Sequence, residues 1–461
     1  MKRLVRWWVL PCLLGTWPIP AWASTHGPWV PEVWSVIPFG LLLLAIAVLP
    51  LAVPHFWEPN RNKGIVAGVL SLPVLALTLT QAPGALVHSL EEYLGFIVLL
   101  WSLYTISGGI LLRGNLVATP RVNTAFLAIG AVMANIFGTT GASMLLVRPL
   151  LQTNMERRHK THTFLFFIFL VSNVGGCLTP LGDPPLYMGF LRGIPFTWTL
   201  HLFPEWLFMT LALLAAYYVW ETRAFRWEKP TEMVEEVLDY EPLRLEGKVN
   251  LLLIAGVLAT IIVSGQVDLG PATPYLRDGV MVALGLASMA LTPRQVREGN
   301  RFTFGAIIEV AVLFLGIFIT MVPALALLRA RGADLGVTEP WQFFWTTGTL
   351  SSFLDNTPTY LTFLELAQGT LGAAQAPDLL ATNTGVAVLK AISLGAVFMG
   401  AMTYIGNGPN FMVKALAEER GPTRVPMPSF GGYLLYSCAI LLPLFALTTV
   451  LFLMPWSPLR F

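Results

Sequence analysis

Charge is what this sequence has least of. Only 12% of its 461 residues are Asp, Glu, Lys or Arg, while 55% are apolar; soluble domains carry roughly 25% charged residues. The 28 basic and 26 acidic side chains leave a formal net charge of +2. That excess is too small for a surface that grips nucleic acid through its phosphates. Intrinsic disorder is excluded from the other direction, because it needs low hydrophobicity and high net charge. Cysteine is almost as scarce. Cys12, Cys177 and Cys438 form no CxxC pair and offer neither a disulfide framework nor a zinc site. The histidines, His26, His55, His88, His159, His162 and His201, are scattered near segment ends, which reads as interfacial placement. No nucleophile–base constellation points to an enzyme, and no cofactor is implied. What is left is a single polytopic membrane body in contact with the lipid bilayer.

The amino terminus and the apolar stretches organise that body. Lys2, Arg3 and Arg6 precede an apolar run ending at Ala21-Trp22-Ala23, the pattern of a signal peptide (1–23) cleaved before Ser24. Full spans of the ~20 residues that cross a bilayer are expected near 35–53, 64–82, 93–112, 199–219, 249–265, 279–292, 304–328 and 429–455. The stretches 122–150, 163–190 and 383–416 are apolar but carry breaks, and 341–368 is interrupted by polar residues and Pro358. With the mature terminus outside, nineteen Lys and Arg fall in the loops expected on the cytoplasmic side and five in the opposing loops and tail, as the positive-inside rule requires. That count holds only if 122–150 and 341–368 each enter and leave on one side, as re-entrant hairpins. The expected location is the bacterial inner membrane.

The order of elements repeats. A first transmembrane repeat (24–219) runs span, span, span, hairpin, broken span, span. After the charged cytoplasmic linker (220–248), a second repeat (249–461) does the same from the opposite side. The expected fold is therefore an all-α polytopic membrane protein of two inverted-topology repeats, each with a re-entrant helical hairpin and a broken transmembrane helix. Interrupted helices at matching positions of two inverted halves are a secondary-transporter signature.

Four segments carry the chemistry. The first hairpin tip, ANIFGTTGASM, places Asn135, Gly138, Thr139 and Thr140 where a lipid-facing helix would carry Leu. Non-helical backbone at that depth is tolerated only inside protein or beside a wet cavity; a small-residue packing patch is the structural alternative. The first broken span, VSNVGGCLTPLGDPPLY, brings Ser172, Asn173, Thr179 and Asp183 among prolines that lack an amide hydrogen. Asp183 at membrane depth is a candidate ion ligand, or an N-cap for the half-helix beginning at Pro184. The second hairpin, SSFLDNTPTY, offers Ser351, Ser352, Asp355, Asn356 and Thr357, and Asp355 has the same two roles open to it. The second broken span, GAMTYIGNGPNF, adds Thr403, Asn407 and Asn410. Two acids among many neutral oxygens make a cation site's inventory. Elsewhere, Glu91 and Glu92 read as interfacial anchors, Glu309 as an anchor or a buried acid, and Lys390 as a snorkelling cation or an acid's partner.

The runs GTTGASMLLVRPLL, SNVGGCLTPLGDPPLY, SSFLDNTPTYL and GAMTYIGNGPNFMVKA resemble the NhaD-type sodium/proton antiporters and citrate transporters of the ion transporter superfamily. The resemblance covers the mature chain. It implies a fold like the divalent anion/sodium symporters, usually as a homodimer. It also implies a role in cation exchange for Asp183, Asn173, Asp355 and Asn356. The second hairpin keeps Asn356-Thr357, with Asp355 in front, whereas the first carries Gly138-Thr139-Thr140 in place of the Ser-Asn-Thr tip of the divalent anion/sodium symporters. The expected function is exchange of sodium (or lithium) for protons, with Asp183 and Asp355 holding sodium transiently. The alternative is proton- or sodium-coupled transport of citrate or a related carboxylate anion.

Overall fold

The computed structural model describes residues 29–114, 116–228, 243–267 and 269–457. The expected signal peptide and most of the linker lie outside the described residues. Among those described, nine helical stretches are long and apolar enough to cross a membrane. The strands there are β1 (Leu111–Arg113) and β2 (Arg244–Glu246), paired antiparallel with Leu111 opposite Glu246. This is an all-α polytopic membrane protein.

Helices Ile37–Ala52, Asn60–Gln81, Pro83–Ser107, Val249–Ser264, Ala272–Leu291 and Gly305–Arg331 pack against one another as a frame. Their outer faces stay apolar. Only 22% of the stretch Asn60–Gln81 is buried, with Val69, Leu72 and Leu79 exposed, which costs nothing where the solvent is lipid tail. The two broken spans are the opposite case. The stretch Thr161–Leu178 is 89% buried and Asn383–Met402 is 94% buried, so the elements richest in polar backbone are the ones enclosed by protein.

The first hairpin is one long stretch, Pro120–Thr153, with non-helical backbone at Gly138 (φ 73°, ψ 156°). Asn123 and Asn154 exchange side-chain hydrogen bonds of 2.8 and 3.2 Å, although a straight helix would hold them ~46 Å apart. The chain therefore reverses near their midpoint. Gly138 supplies the positive φ that an L-residue avoids, and Leu181 O lies 3.1 Å from where a Cβ would sit. The second hairpin uses two helices, Pro340–Ser351 and Asn356–Leu371. The broken spans are Thr161–Leu170 with Pro184–Leu191, and Asn383–Met399 with Gly408–Ala417.

Three expectations shift. The span read as 93–112 begins at Pro83, a residue suited to the first helical turn, and ends at Ser107 before Gly108-Gly109 and β1. The span read as 279–292 begins at Ala272, because Arg277 and Asp278 neutralise one another at 2.8 Å and do not end the helix. His162, read as interfacial, is buried with Nε2 2.6 Å from Glu221.

That histidine belongs to a polar knot at the base of the first hairpin. Buried Arg157 reaches Glu221 at 3.1 Å and Glu228 at 3.2 Å, and donates to Ala118 O at 2.7 Å. Asn123 donates to Glu221 at 3.1 Å, which ties the hairpin to the end of helix Phe203–Phe225. Burial pushes the Glu228 carboxyl up, but the amides of His159 and Arg158 and the Arg157 guanidinium outweigh it. The group is held below the ordinary carboxylate range. Because the folded value lies below the unfolded one, this stabilisation is present above the unfolded value and is lost as pH falls through the folded one. Arg157→Leu removes the one guanidinium that two buried carboxylates share and is expected to cost about 3–5 kcal/mol. Thermal melts of the purified protein check this: the variant should melt lower at neutral pH, and should lose less on acidification than the wild type.

Candidate ion-binding site

The first broken span stops being α-helical after Leu170, continues as a 3-10 turn over Val174–Leu178, and restarts at Pro184. Asp183 occupies the N-cap position of that restart, in extended conformation (φ −140°, ψ 140°), yet its side chain makes no capping bond. The reason is chemical. Pro184 and Pro185 have no amide hydrogen, and the next amide, Leu186 N, is taken by the Asp183 carbonyl at 3.1 Å. The carboxylate is thus left for other partners. Asp355, at the N-cap of the second hairpin's returning helix, does cap: it accepts from Thr357 N at 3.1 Å and is half-buried.

Asp183 is wholly buried and is reached from three other segments. Thr139 Oγ1 donates to Oδ1 at 2.9 Å, Asn356 Nδ2 to Oδ2 at 2.6 Å, and Asn407 Nδ2 to Oδ1 at 3.3 Å. Both hairpin tips and both broken spans therefore meet at one carboxylate. An amide lattice supports it. Asn407 also donates to Ser172 O (3.0 Å) and Asn173 Oδ1 (3.2 Å). Asn173 donates to Asn410 Oδ1 (2.7 Å), and Asn410 to Gly400 O (2.8 Å) and Thr403 O (2.9 Å). Ser172 Oγ lies 2.8 Å from Ser143 Oγ.

One buried amide oxygen here, Asn356 Oδ1, has no hydrogen-bond partner among the described residues, and the Thr357 side chain faces the Asp355 carboxylate. A Cβ on Gly400 would sit 2.7 Å from Asn356 Oδ1 and 3.0 Å from Asn173 Oδ1, so both amide oxygens flank one point beside that glycine. Acceptor oxygens gathered around a buried carboxylate suit a hard monovalent cation or a proton. No group of three His, Cys, Asp or Glu able to chelate a metal exists among the described residues.

Other residues singled out by sequence build the scaffold of the site. Thr179 Oγ1 donates to Asn135 O and Thr403 Oγ1 to Ser352 O, each at 2.5 Å. These two bonds fasten each broken span to its own hairpin in the same way. Asn135 Oδ1 accepts from Leu178 N at 2.8 Å, Ser351 Oγ donates to Ala396 O at 2.7 Å, and Ser352 Oγ to Gly348 O at 2.8 Å. Thr140 is half-buried, one residue past the carboxylate's donor.

Six carboxylates are buried among the described residues: Glu92, Asp183, Glu205, Glu221, Glu228 and Glu365. Arg192 pairs with both Glu92 and Glu365, Lys390 with Glu205 at 3.3 Å, and Arg157 with Glu221 and Glu228. Asp183 is the one of the six with no Lys or Arg partner among the described residues. Glu92 is thus a buried ion-pair member and not an interfacial anchor, and Lys390 pairs with an acid. Glu309 is 41% exposed at its side chain and meets Lys63 at 2.7 Å. Spacing gave no signal for the Arg192 pairs, since the partners lie 100 and 173 residues away.

A family described as "Putative citrate transport" matches residues 30–453, a stretch that contains all four segments meeting at Asp183. The chain belongs to that family. It is similar as well to a "46 kDa membrane protein" of Mycobacterium leprae (strain TN), 26% identical over 310 residues, which cover 64% of this chain and 68% of the relative. As a member of the citrate-transport family with nine spanning-length apolar stretches among its described residues, this protein is a multi-pass membrane transporter.

Proposed function

We propose that the protein exchanges sodium (or lithium) for protons across the bacterial inner membrane, with Asp183 as the group both ions compete for. The observation that carries this reading is the isolation of Asp183, buried with three neutral donors and no cation. An ionised carboxylate in that setting needs a counter-charge, because burying an unpaired charge is costly. Either a proton or a cation meets the need, and one excludes the other. Asn173 Oδ1, Asn356 Oδ1 and Thr357 Oγ1 would complete a dehydrated sodium shell, while Thr139 and Asn407 orient the carboxylate. The matched fastenings Thr179–Asn135 and Thr403–Ser352 support two inverted repeats (24–219 and 249–461) that move about this point. Asp355 would hold sodium transiently while capping its helix through Thr357 N.

A second reading is proton- or sodium-coupled carriage of citrate or a related carboxylate, and the family's description favours it. Against it stands the absence of Arg and Lys from the residues that touch Asp183; the nearby buried cations Arg192 and Lys390 are committed to acids. Everted vesicles separate the two. Sodium or lithium should collapse a preformed proton gradient in vesicles holding the protein, and citrate should not. Citrate uptake without any sodium response would sink the exchange reading.

A further inference from the structure

A pocket open to the surface lies outside the transport core, where helix Phe203–Phe225 ends beside the turn that precedes Thr161–Leu170. Its volume is about 530 Å³, within the range of small-molecule sites. Its polar wall carries Arg158 and Arg223, both exposed, and its apolar wall carries Leu165, Trp220, Trp227 and Tyr436. Neither arginine has a carboxylate partner among the described residues, unlike neighbouring Arg157, which Glu221 and Glu228 consume. The aromatic wall is held in place. Trp220 stacks on the His162 ring (5.7 Å, 2°), and His162 is anchored on Glu221. Tyr436 lies 6.0 Å from Trp220, and Trp227 meets the His159 ring edge-on at 6.3 Å.

We propose that this cavity binds the headgroup of an anionic phospholipid of the cytoplasmic leaflet. The position argues for it: the loops that supply Arg158 and Arg223 belong to the face that holds nineteen of the chain's cations, the cytoplasmic face by the positive-inside rule. The chemistry argues for it too. Two exposed guanidiniums match a phosphodiester, Trp and Tyr settle at headgroup depth, and basic pockets between helices on that side take anionic headgroups. Trp220 and Tyr436, 36% and 40% exposed, and exposed Val219 and Leu211 continue the wall along the helix, where acyl chains would run. The lipid would bridge helix Phe203–Phe225 to the start of helix Phe430–Thr448, which packs on it.

The test uses the full chain in detergent, with melting temperature and lipid retention in native mass spectrometry as readouts. Cardiolipin or phosphatidylglycerol should raise the melting temperature and remain bound; phosphatidylcholine and inorganic phosphate should do neither. The double variant Arg158→Gln/Arg223→Gln should fold, and should retain about thirtyfold less anionic lipid, as expected for loss of roughly 1 kcal/mol for each of two cations near the surface. Arg294→Gln, at an exposed arginine on another basic loop, should retain as much as the wild type. Four results would overturn the proposal: equal response to phosphatidylcholine, equal response to phosphate, undiminished retention by the double variant, or an equal drop in Arg294→Gln.

Discussion

Asp183→Asn should reach the membrane in normal amounts and melt as the wild type does, while sodium-dependent proton exchange falls at least about a hundredfold, or ~2.7 kcal/mol. Asparagine keeps the size of the side chain and can satisfy its neighbours. With the new amide facing Thr139, whose hydroxyl can turn to accept, the remaining oxygen still accepts from Asn356 Nδ2, now 2.6 Å from Oδ2. Asn407 keeps its bonds to Ser172 O and Asn173 Oδ1. What disappears is the charge that, on the proposed exchange, a proton and a sodium ion would alternately neutralise. Asp355→Asn is the informative contrast, because Asn caps a helix as well as Asp. That variant should keep near wild-type exchange, since the cap on Thr357 N survives and the core carboxylate is untouched. Exchange assays in everted vesicles, normalised to protein abundance, read both. Wild-type exchange in Asp183→Asn would return Asp183 to a purely structural role.

Much of this arrangement is legible in the sequence, and the reason is that membranes leave few options. A Gly-Thr-Thr-Gly run or a Gly-Asp-Pro-Pro run cannot face lipid, so the four polar segments announce themselves against 55% apolar residues. The four segments do meet, through Thr139, Asp183, Asn356 and Asn407. The separation of Asp183 from Asp355 was not legible. Both precede a helix start, and the difference lies in which amides follow: two prolines after Asp183, but Asn356 and Thr357 after Asp355. Long-range ion pairs were equally hidden. Glu92 and Glu365 look like ordinary segment-end charges until Arg192 is placed between them, and no local spacing rule spans that distance. Gly400 gave no local signal either: a Cβ there would crowd Asn356 Oδ1 and Asn173 Oδ1, side chains 44 and 227 residues away in the sequence.

Gly182→Ala carries the second large expected effect, and it acts through geometry instead of charge. A Cβ there would lie 2.1 Å from Gly176 O and 2.7 Å from Gly176 C, backbone atoms with no rotamer to yield. The two strands of the broken span must then part. Gly182 O accepts Thr139 N at 2.8 Å, and Gly182 N lies 3.0 Å from Thr179 Oγ1, so the hairpin tip and its fastening move with them. Displacements of that order, ~1 Å, cost about a hundredfold in positioned chemistry, and overpacking of this kind costs about 1–3 kcal/mol of stability. Exchange should therefore be lost together with a fall in melting temperature, a pairing that distinguishes this variant from Asp183→Asn. Gly406→Ala should behave alike, because its Cβ would meet Gly400 O at 2.6 Å in the matching turn of the second broken span. Gly408→Ala, in the same turn but with open space around its Cβ position, should transport and melt normally. If Gly182→Ala exchanged sodium at the wild-type rate, the close approach of Gly182 to Gly176 would not be what positions Asp183 and Thr139.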